Sequence, residues 1–494
     1  MRYISTRDSS LSVSSAEAIV QGISAEGGLF VPESFPNVSL EETLSYAPKG
    51  YAACAAAVMG RFLTDFSQEE LLKMTTEAYA GFDDPAVVPL TDVGDGEHIM
   101  ELYHGPTLAF KDMALQMLPR LMAASIAKTG EKDRVLILVA TSGDTGKAAL
   151  EGFSDVPGTA ILVFYPEDGV ADMQKLQMTT QKGENVAVCA VRGNFDDAQT
   201  GVKGIFASAD IAKKLKEAGY RLSSANSINW GRLVPQIAYY FWAYSVLAEK
   251  GAIRPGEGID FVVPTGNFGD ILAGYYAKRM GLPVRKLVCA SNANRVLTDF
   301  FETGVYDRNR AFAKTSSPSM DILISSNLER LLFEASGRDA AAVSRWMEAL
   351  KKEGRYDVGE DIRNRIAEDF SAGCASEEEA FAALSAVFER TGIVIDTHTA
   401  VAQAVYDKAK DQTVTVLLST ASPYKFPQDV LAAINPKEEP PQDGFEAAAA
   451  LSKCTKTAIP QQILALRESP VRFQESCDKG EMDKALFAAL KGWS

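Results

Sequence analysis

Short apolar runs, each followed by a segment of helical period, dominate the middle of the chain. RVLILVAT (134–141) leads into GKAALEGF, and TAILVFYP (159–166) into ADMQKLQMTTQ. NVAVCAVRG (185–193) leads into a long polar–apolar stretch, and IDFVVPTGN (259–267) into FGDILAGYYAKRMG. RKLVCASN (285–292) closes this series, and TVTVLLST (413–420) is a last strand of the same kind. Continuous apolar strands with helices between them predict an α/β fold whose parallel sheet is covered on both faces. Outside this stretch the texture changes. EGGLFVPESFP (26–36) is turn chemistry around a short apolar run, residues 41–80 read as helices, and the Pro- and Gly-rich DPAVVPLTDVGDG (84–96) reads as a junction. Residues 338–410 read mainly as helices, and the charged, Pro-rich PKEEPPQDG (436–444) as a linker to a helical tail. The expected units are 1–92, a core of 93–435 with a helical insert near 338–410, and 436–494.

Composition narrows the function. The 494 residues are 46% hydrophobic and 23% charged, ordinary globular proportions. The net charge of −15 argues against a general nucleic-acid binder and against docking to an anionic membrane. Six dispersed cysteines without a CxxC pair suit a reducing compartment. Three histidines in the whole chain argue against a histidine-centred triad or a His-rich metal site, so no metal is assigned. MRYISTRDSS at the N-terminus has no apolar signal core, and no apolar run approaches the ~20 residues that span a bilayer. The expectation is a cytoplasmic protein with a small-molecule substrate, monomeric or homodimeric, without nucleic-acid or membrane partners.

Four segments carry more than packing, three of them after apolar strands, where doubly wound sheets collect ligands. ATSGDTGKAAL (140–150) enters a helix through Gly143 and Gly146, with Ser142 and Thr145 beside exposed N–H groups that can cradle an anion. It is not a P-loop, because Thr141 stands at the first glycine and Ala148 at the magnesium-binding Ser/Thr. Asp144 or Thr145 acting as a plain helix cap is the plainer reading. VPTGNFGDILAG (263–274) repeats the pattern, with Gly266, Asn267, Phe268 and Gly269 able to present N–H groups to a phosphate. In LYHGPTLAFKDMALQ (102–116) a Gly-Pro turn opens a helix near Leu108, which sets Lys111 in its first turn between Phe110 and Met113. The positive helix end and partial burial both lower an amine's pKa there, as Schiff-base chemistry requires. VTVLLSTASPYKFP (414–427) brings Ser419 and Thr420 to a strand end, where hydroxyls bond a ring nitrogen or satisfy the turn.

Together these segments resemble threonine synthase, a pyridoxal-phosphate (PLP) enzyme of fold type II. The resemblance rests on STR (5–7) with GISAEGGLFVP (22–32), HGPTLAFKD (104–112), TSGDTG (141–146), NSINWGRLVPQ (226–236), PTGNFGD (264–270) and SPSMDILISSNLERLLFE (317–334), in that order. It implies two parallel-sheet subdomains with helices on both faces, a small N-terminal domain and a helical C-terminal extension. It implies that Lys111 carries PLP as a Schiff base, with Phe110 and Asp144 beside it. Gly266, Asn267, Phe268, Gly269 and Asp270 would hold the cofactor phosphate, and Thr420 would meet the pyridine nitrogen. Ser142, Thr145, Asn229, Arg232, Asn327 and Arg330 are the implied substrate-binding residues. The implied reaction converts O-phospho-L-homoserine and water to L-threonine and phosphate by γ-elimination and β-addition. Departures are Ser422 and Tyr424 in TASPYKF, where the family pattern has histidine and alanine, Asp8 for a glycine after STR, and an extra cation, Lys147, at the glycine loop. In ISSNLERLLFE, Ser325 or Ser326 reads as the cap of a helix from Asn327, which sets Asn327 and Arg330 on one face for an anion. The competing reading pairs Arg330 with Glu334 at the surface. A PLP-dependent phospho-lyase or replacement enzyme for another phosphorylated amino acid is the alternative within the resemblance. A nucleotide-binding regulatory protein is the alternative outside it, opposed by the failed P-loop and the missing GxGxxG.

Overall fold

The computed structural model describes residues 1–141, 143–167, 170 and 172–493. Two main sheets organise the chain. The first has five parallel strands in the order Ser476–Asp478, Val186–Arg192, Thr159–Pro166, Arg134–Ala140, Tyr220–Ser223. Its centre is TAILVFYP, buried at all eight positions, as a parallel strand covered on both faces must be. The second has six strands in the order Phe370–Cys374, Val284–Ser291, Ile259–Pro264, Thr415–Ser419, Glu97–Glu101, Leu90–Gly94. Its pairs are parallel except the last, where Leu90–Gly94 runs antiparallel as a half-exposed edge with Leu90 and Val93 buried. The fold class expected from the sequence is the one observed.

Helix Trp230–Glu249 has 18 buried residues, Trp230 to Leu247, and reads as apolar nearly all round because it lies inside the molecule. The N-terminal region pairs strands Tyr3–Ser5 and Phe30–Pro32 antiparallel and adds helices Leu40–Leu44, Tyr51–Gly60 and Gln68–Tyr79. The bidentate ion pair of Arg7 with Glu329 and the Thr6 hydroxyl bond to the same carboxylate tie it to helix Leu328–Ala335.

Several elements differ from the expected pattern, three of them at sheet edges. Part of the Pro- and Gly-rich junction at 84–96 is the edge strand Leu90–Gly94. The helical stretch 338–410 contains strand Phe370–Cys374, which extends the six-stranded sheet. The tail after 436 is not wholly helical, since Ser476–Asp478 completes the five-stranded sheet. FSAGC and SCD are too short and too polar to signal a strand, and only a ready sheet edge makes them one. No described helix is long and apolar enough to cross a membrane.

Candidate active site

The helix bearing Lys111 starts later than its pattern suggests. It spans Lys111–Leu115, because Leu108 adopts a left-handed conformation (φ 61°) that turns the chain first. That turn is pinned to the carboxyl end of strand Thr415–Ser419: Phe110 N–H donates to Thr420 O (2.8 Å) and Ser422 N–H to Leu108 O (3.0 Å). Lys111 thereby opens its helix at the end of the six-stranded sheet and is 8% exposed. Burial lowers its pKa against the opposing pull of Asp144. Its Nζ lies 4.8 Å from the centre of the Phe110 ring, 3.3 Å from Asp144 Oδ2 and 3.1 Å from Ser319 Oγ.

Asp144 crosses from the other sheet, at the first position of helix Asp144–Phe153 after the Gly143 cap. It is no helix cap. Its Oδ1 is 2.8 Å from Lys425 Nζ and accepts from Gln174 Nε2 (2.8 Å). Burial would raise its pKa, but Lys425 and Lys111 outweigh that and hold it well below the carboxylate range. Lys425, fully buried, also donates to Thr107 O (2.8 Å) and Gln177 Oε1 (3.3 Å). Asp112 accepts from the backbone N–H and hydroxyl of Thr107, and burial pushes it up to about 6. It braces the turn: a Cβ on Gly105 would come within 2.5 Å of it.

The second glycine loop faces the same floor. Phe268 takes a left-handed conformation (φ 63°) to start helix Gly269–Arg279. Among the described residues, no acceptor takes the backbone N–H of Gly266, Phe268 or Gly269, although all three residues are buried. Buried amides are almost always paired, so these fit an anionic group at a helix N-terminus, as the phosphate of PLP requires. A Cβ on Gly266 would stand 2.4 Å from Ser319 O, which leaves room for glycine alone. Asn267 is exposed, and burial pushes buried Asp270 up to about 6. The Thr420 side chain is 5% exposed, and among the described residues its hydroxyl has no partner.

The substrate-binding candidates separate. Ser142 lies outside the described residues, and Thr145 is half-buried at the start of the Asp144 helix. Arg232, 6% exposed, has one hydrogen bond among the described residues, from Nη1 to Ala225 O (2.7 Å), and burial lowers its pKa to about 10. Asn229 instead caps helix Trp230–Glu249: its Oδ1 accepts from Gly231 N–H, and its amide donates to Ile19 O and Ser224 O. Arg330 is fully buried and donates to Phe30 O, Ser227 O, Ile228 O and Asn327 Oδ1. Asn327 also donates to Ser227 Oγ (2.7 Å) and Asn267 O (3.0 Å). The competing surface pair of Arg330 with Glu334 is not there, since Glu334 bonds Arg338 at 2.9 Å. The helix begins at Leu328 without a side-chain cap, and the Ser325 hydroxyl donates to Gly266 O (2.9 Å). Lys147 points to Glu151 (2.8 Å) and Gln181 rather than into the loop.

The two departures in TASPYKF have structural consequences. Ser422 accepts from Tyr424 N–H (3.3 Å) and shapes the turn that aims Lys425 at Asp144. The Tyr424 hydroxyl reaches Thr457 O (3.0 Å) and Oγ1 (2.7 Å), which docks the C-terminal extension. Sequence reasoning passed over Ser319, Lys425, Gln174 and His398. Ser319 and Lys425 lie inside quoted motifs, which was the available signal; Gln174 and His398 had none.

Known proteins match the chain along most of its length. The family model described as threonine synthase N terminus matches residues 2–79, that of pyridoxal-phosphate dependent enzymes 93–420, and that of the threonine synthase C-terminal region 399–483. A threonine synthase of Pseudomonas aeruginosa is 41% identical over 87% of this chain and 90% of its own. Threonine synthase-like 1 of Homo sapiens is 41% identical over 86% of this chain. This chain spans only about 60% of the length of such threonine synthase-like 1 relatives. The crystal structure of PLP-bound threonine synthase from Brucella melitensis superposes with a TM-score of 0.88 at 38% identity, covering 100% of this chain and 99% of that one. With three family models in register and relatives matched over most of both lengths, the chain belongs to the threonine synthase family of pyridoxal-phosphate-dependent enzymes.

Proposed function

We propose that the chain is a PLP-dependent carbon–oxygen lyase, a threonine synthase that converts O-phospho-L-homoserine and water to L-threonine and phosphate. One observation carries the reading: a buried lysine amine lies near a loop of buried amides without acceptors and a buried arginine with a single hydrogen bond, among the described residues. Lys111 would bond the cofactor, Gly266 to Asp270 would hold its phosphate, and Thr420 would meet its ring nitrogen. When bound, PLP supplies an electron sink for negative charge at the substrate's Cα.

The chain's own groups do the rest. The Lys111 amine, lowered in pKa by burial, is fitted to take the Cα proton and to hand protons on as phosphate leaves Cγ and water adds at Cβ. Asp144 keeps that amine in place while Lys425 balances its charge. Arg232 is the preferred cation for the substrate's anionic groups, with Thr145 and Asn327 as further candidates and Ser142 a candidate on the resemblance alone. Asn229 and Arg330 act behind the site by fixing the segments that carry Ser227 and Asn327. The setting is read as cytoplasmic, in keeping with six free cysteines. Purified protein loaded with PLP and given O-phosphohomoserine should release phosphate and threonine in equal amounts. Phosphate with a different amino-acid product would replace the substrate assignment with the related phospho-lyase.

A further inference from the structure

Among the described residues, Ser319 is the one neutral group in hydrogen-bond contact with the Lys111 amine, and it sits on a loop gripped from two sides. Its Oγ is 3.1 Å from Lys111 Nζ and 3.4 Å from Asp144 Oδ2. Behind it, the Ser319 backbone N–H donates to His398 Nε2 (3.1 Å). An imidazole nitrogen that accepts carries no proton, so the ring's proton is on Nδ1. Nδ1 lies 2.9 Å from Asp396 Oδ1, in a carboxylate that is fully buried. Thr399 fills the other carboxylate oxygen, and Thr397 donates to Ser316 O (2.7 Å), so the start of helix Thr397–Ala409 holds the loop at two points. On the far side Asn292 donates to Thr315, Ser317 and Asp321. The loop has no freedom to carry Ser319 elsewhere.

We propose that Asp396 and His398 are positioning residues, and that they hold the Ser319 hydroxyl against Lys111 so that Ser319 and Asp144 together fix the direction of the amine. The proposal rests on Lys111 being the cofactor lysine. Two acceptors at 3.1 and 3.3 Å engage two of the directions around Nζ and leave the remaining one for bond formation. Orientation of a reacting atom is a large part of an enzyme's advantage, and an amine free to rotate about Cε–Nζ loses it. His398 is therefore no ordinary core histidine: it passes the rigidity of a buried Asp–His pair to a hydroxyl at the reacting nitrogen.

The test follows uptake of PLP by the apoprotein, read as the rate at which its colour appears and as the fraction fixed on Lys111 by borohydride. Ser319→Ala should slow uptake about tenfold, the scale of one lost orienting hydrogen bond. His398→Asn keeps an amide near Asp396 but falls short of Ser319, and should show the same slowing. His398→Gln places Oε1 where Nε2 stood and should stay within about threefold of wild type. The double variant Ser319→Ala/His398→Asn should be no slower than either single one, since both act through one hydroxyl. Wild-type uptake in Ser319→Ala overturns the proposal even if the His398 variants fail to fold, and so do additive slowing or a His398→Gln as slow as His398→Asn. Failure of the wild type itself to take up PLP at Lys111 would instead remove the cofactor reading.

Discussion

The floor around Lys111 and the seam around Arg330 both bury charge, but they differ in what that charge is bonded to. Arg232 and Arg330 make the point directly. Burial lowers both guanidinium groups to about 10, so their ionisation does not tell them apart. Arg330 has four acceptors, in Phe30, Ser227, Ile228 and Asn327, and knits the N-terminal strands to the catalytic core. Arg232 has one, Ala225 O, among the described residues. Among the described residues, the amides of Gly266, Phe268 and Gly269 likewise have no acceptor, while the Asn229 side chain bonds at three points. A buried cation bonded mainly to backbone carbonyls of several segments ties the structure together, whereas one bonded to a single carbonyl is the better candidate for an anionic ligand.

That distinction is broken most severely at Lys111. Lys111→Ala should reduce turnover to background while the protein folds, because alanine is a good helix residue at that position; kinetics beside a thermal melt checks both halves. Arg232→Lys comes next. It removes the planar fork and should raise KM for O-phosphohomoserine about 10–100-fold with cofactor uptake unchanged. Arg330→Lys should do the reverse, costing about 2–3 kcal/mol of stability in denaturant unfolding while KM stays within about twofold. A raised KM in that variant, with stability intact, would erase the contrast.

The smallest effect concerns His104, between Asp83 (2.6 Å) and Glu101 (2.9 Å). Burial would lower its pKa, but the two carboxylates outweigh that and raise it from 6.5 to about 9. A histidine pKa raised by folding stabilises fully below about 6.5, and that contribution is lost as pH rises through about 9. The Tm difference between wild type and His104→Gln should therefore shrink between pH 6 and pH 9.5. A difference that grows with pH would contradict the pairing.

Much of this site was legible in the sequence because it is local. TSGDTG and PTGNFGD declare themselves by glycines after apolar strands, and Lys111 by a cation in an apolar first turn after Gly-Pro. Contacts fixed by tertiary packing were not legible. Nothing in NSINWGRLVPQ says that Asn229 caps a helix and Arg232 faces the floor. The contacts of Arg330 were hidden because Phe30 and Ile228 are 300 and 102 residues away along the chain. His398, 79 residues after Ser319, gave no sign of their contact.

Two buried lysines, Lys111 and Lys425, meet at the same carboxylate, and only one can carry the cofactor. Borohydride reduction of the PLP-loaded protein followed by peptide mapping decides between them. The account predicts the cofactor on the peptide containing Lys111 and none on that containing Lys425. A label on Lys425, or on neither, would contradict it.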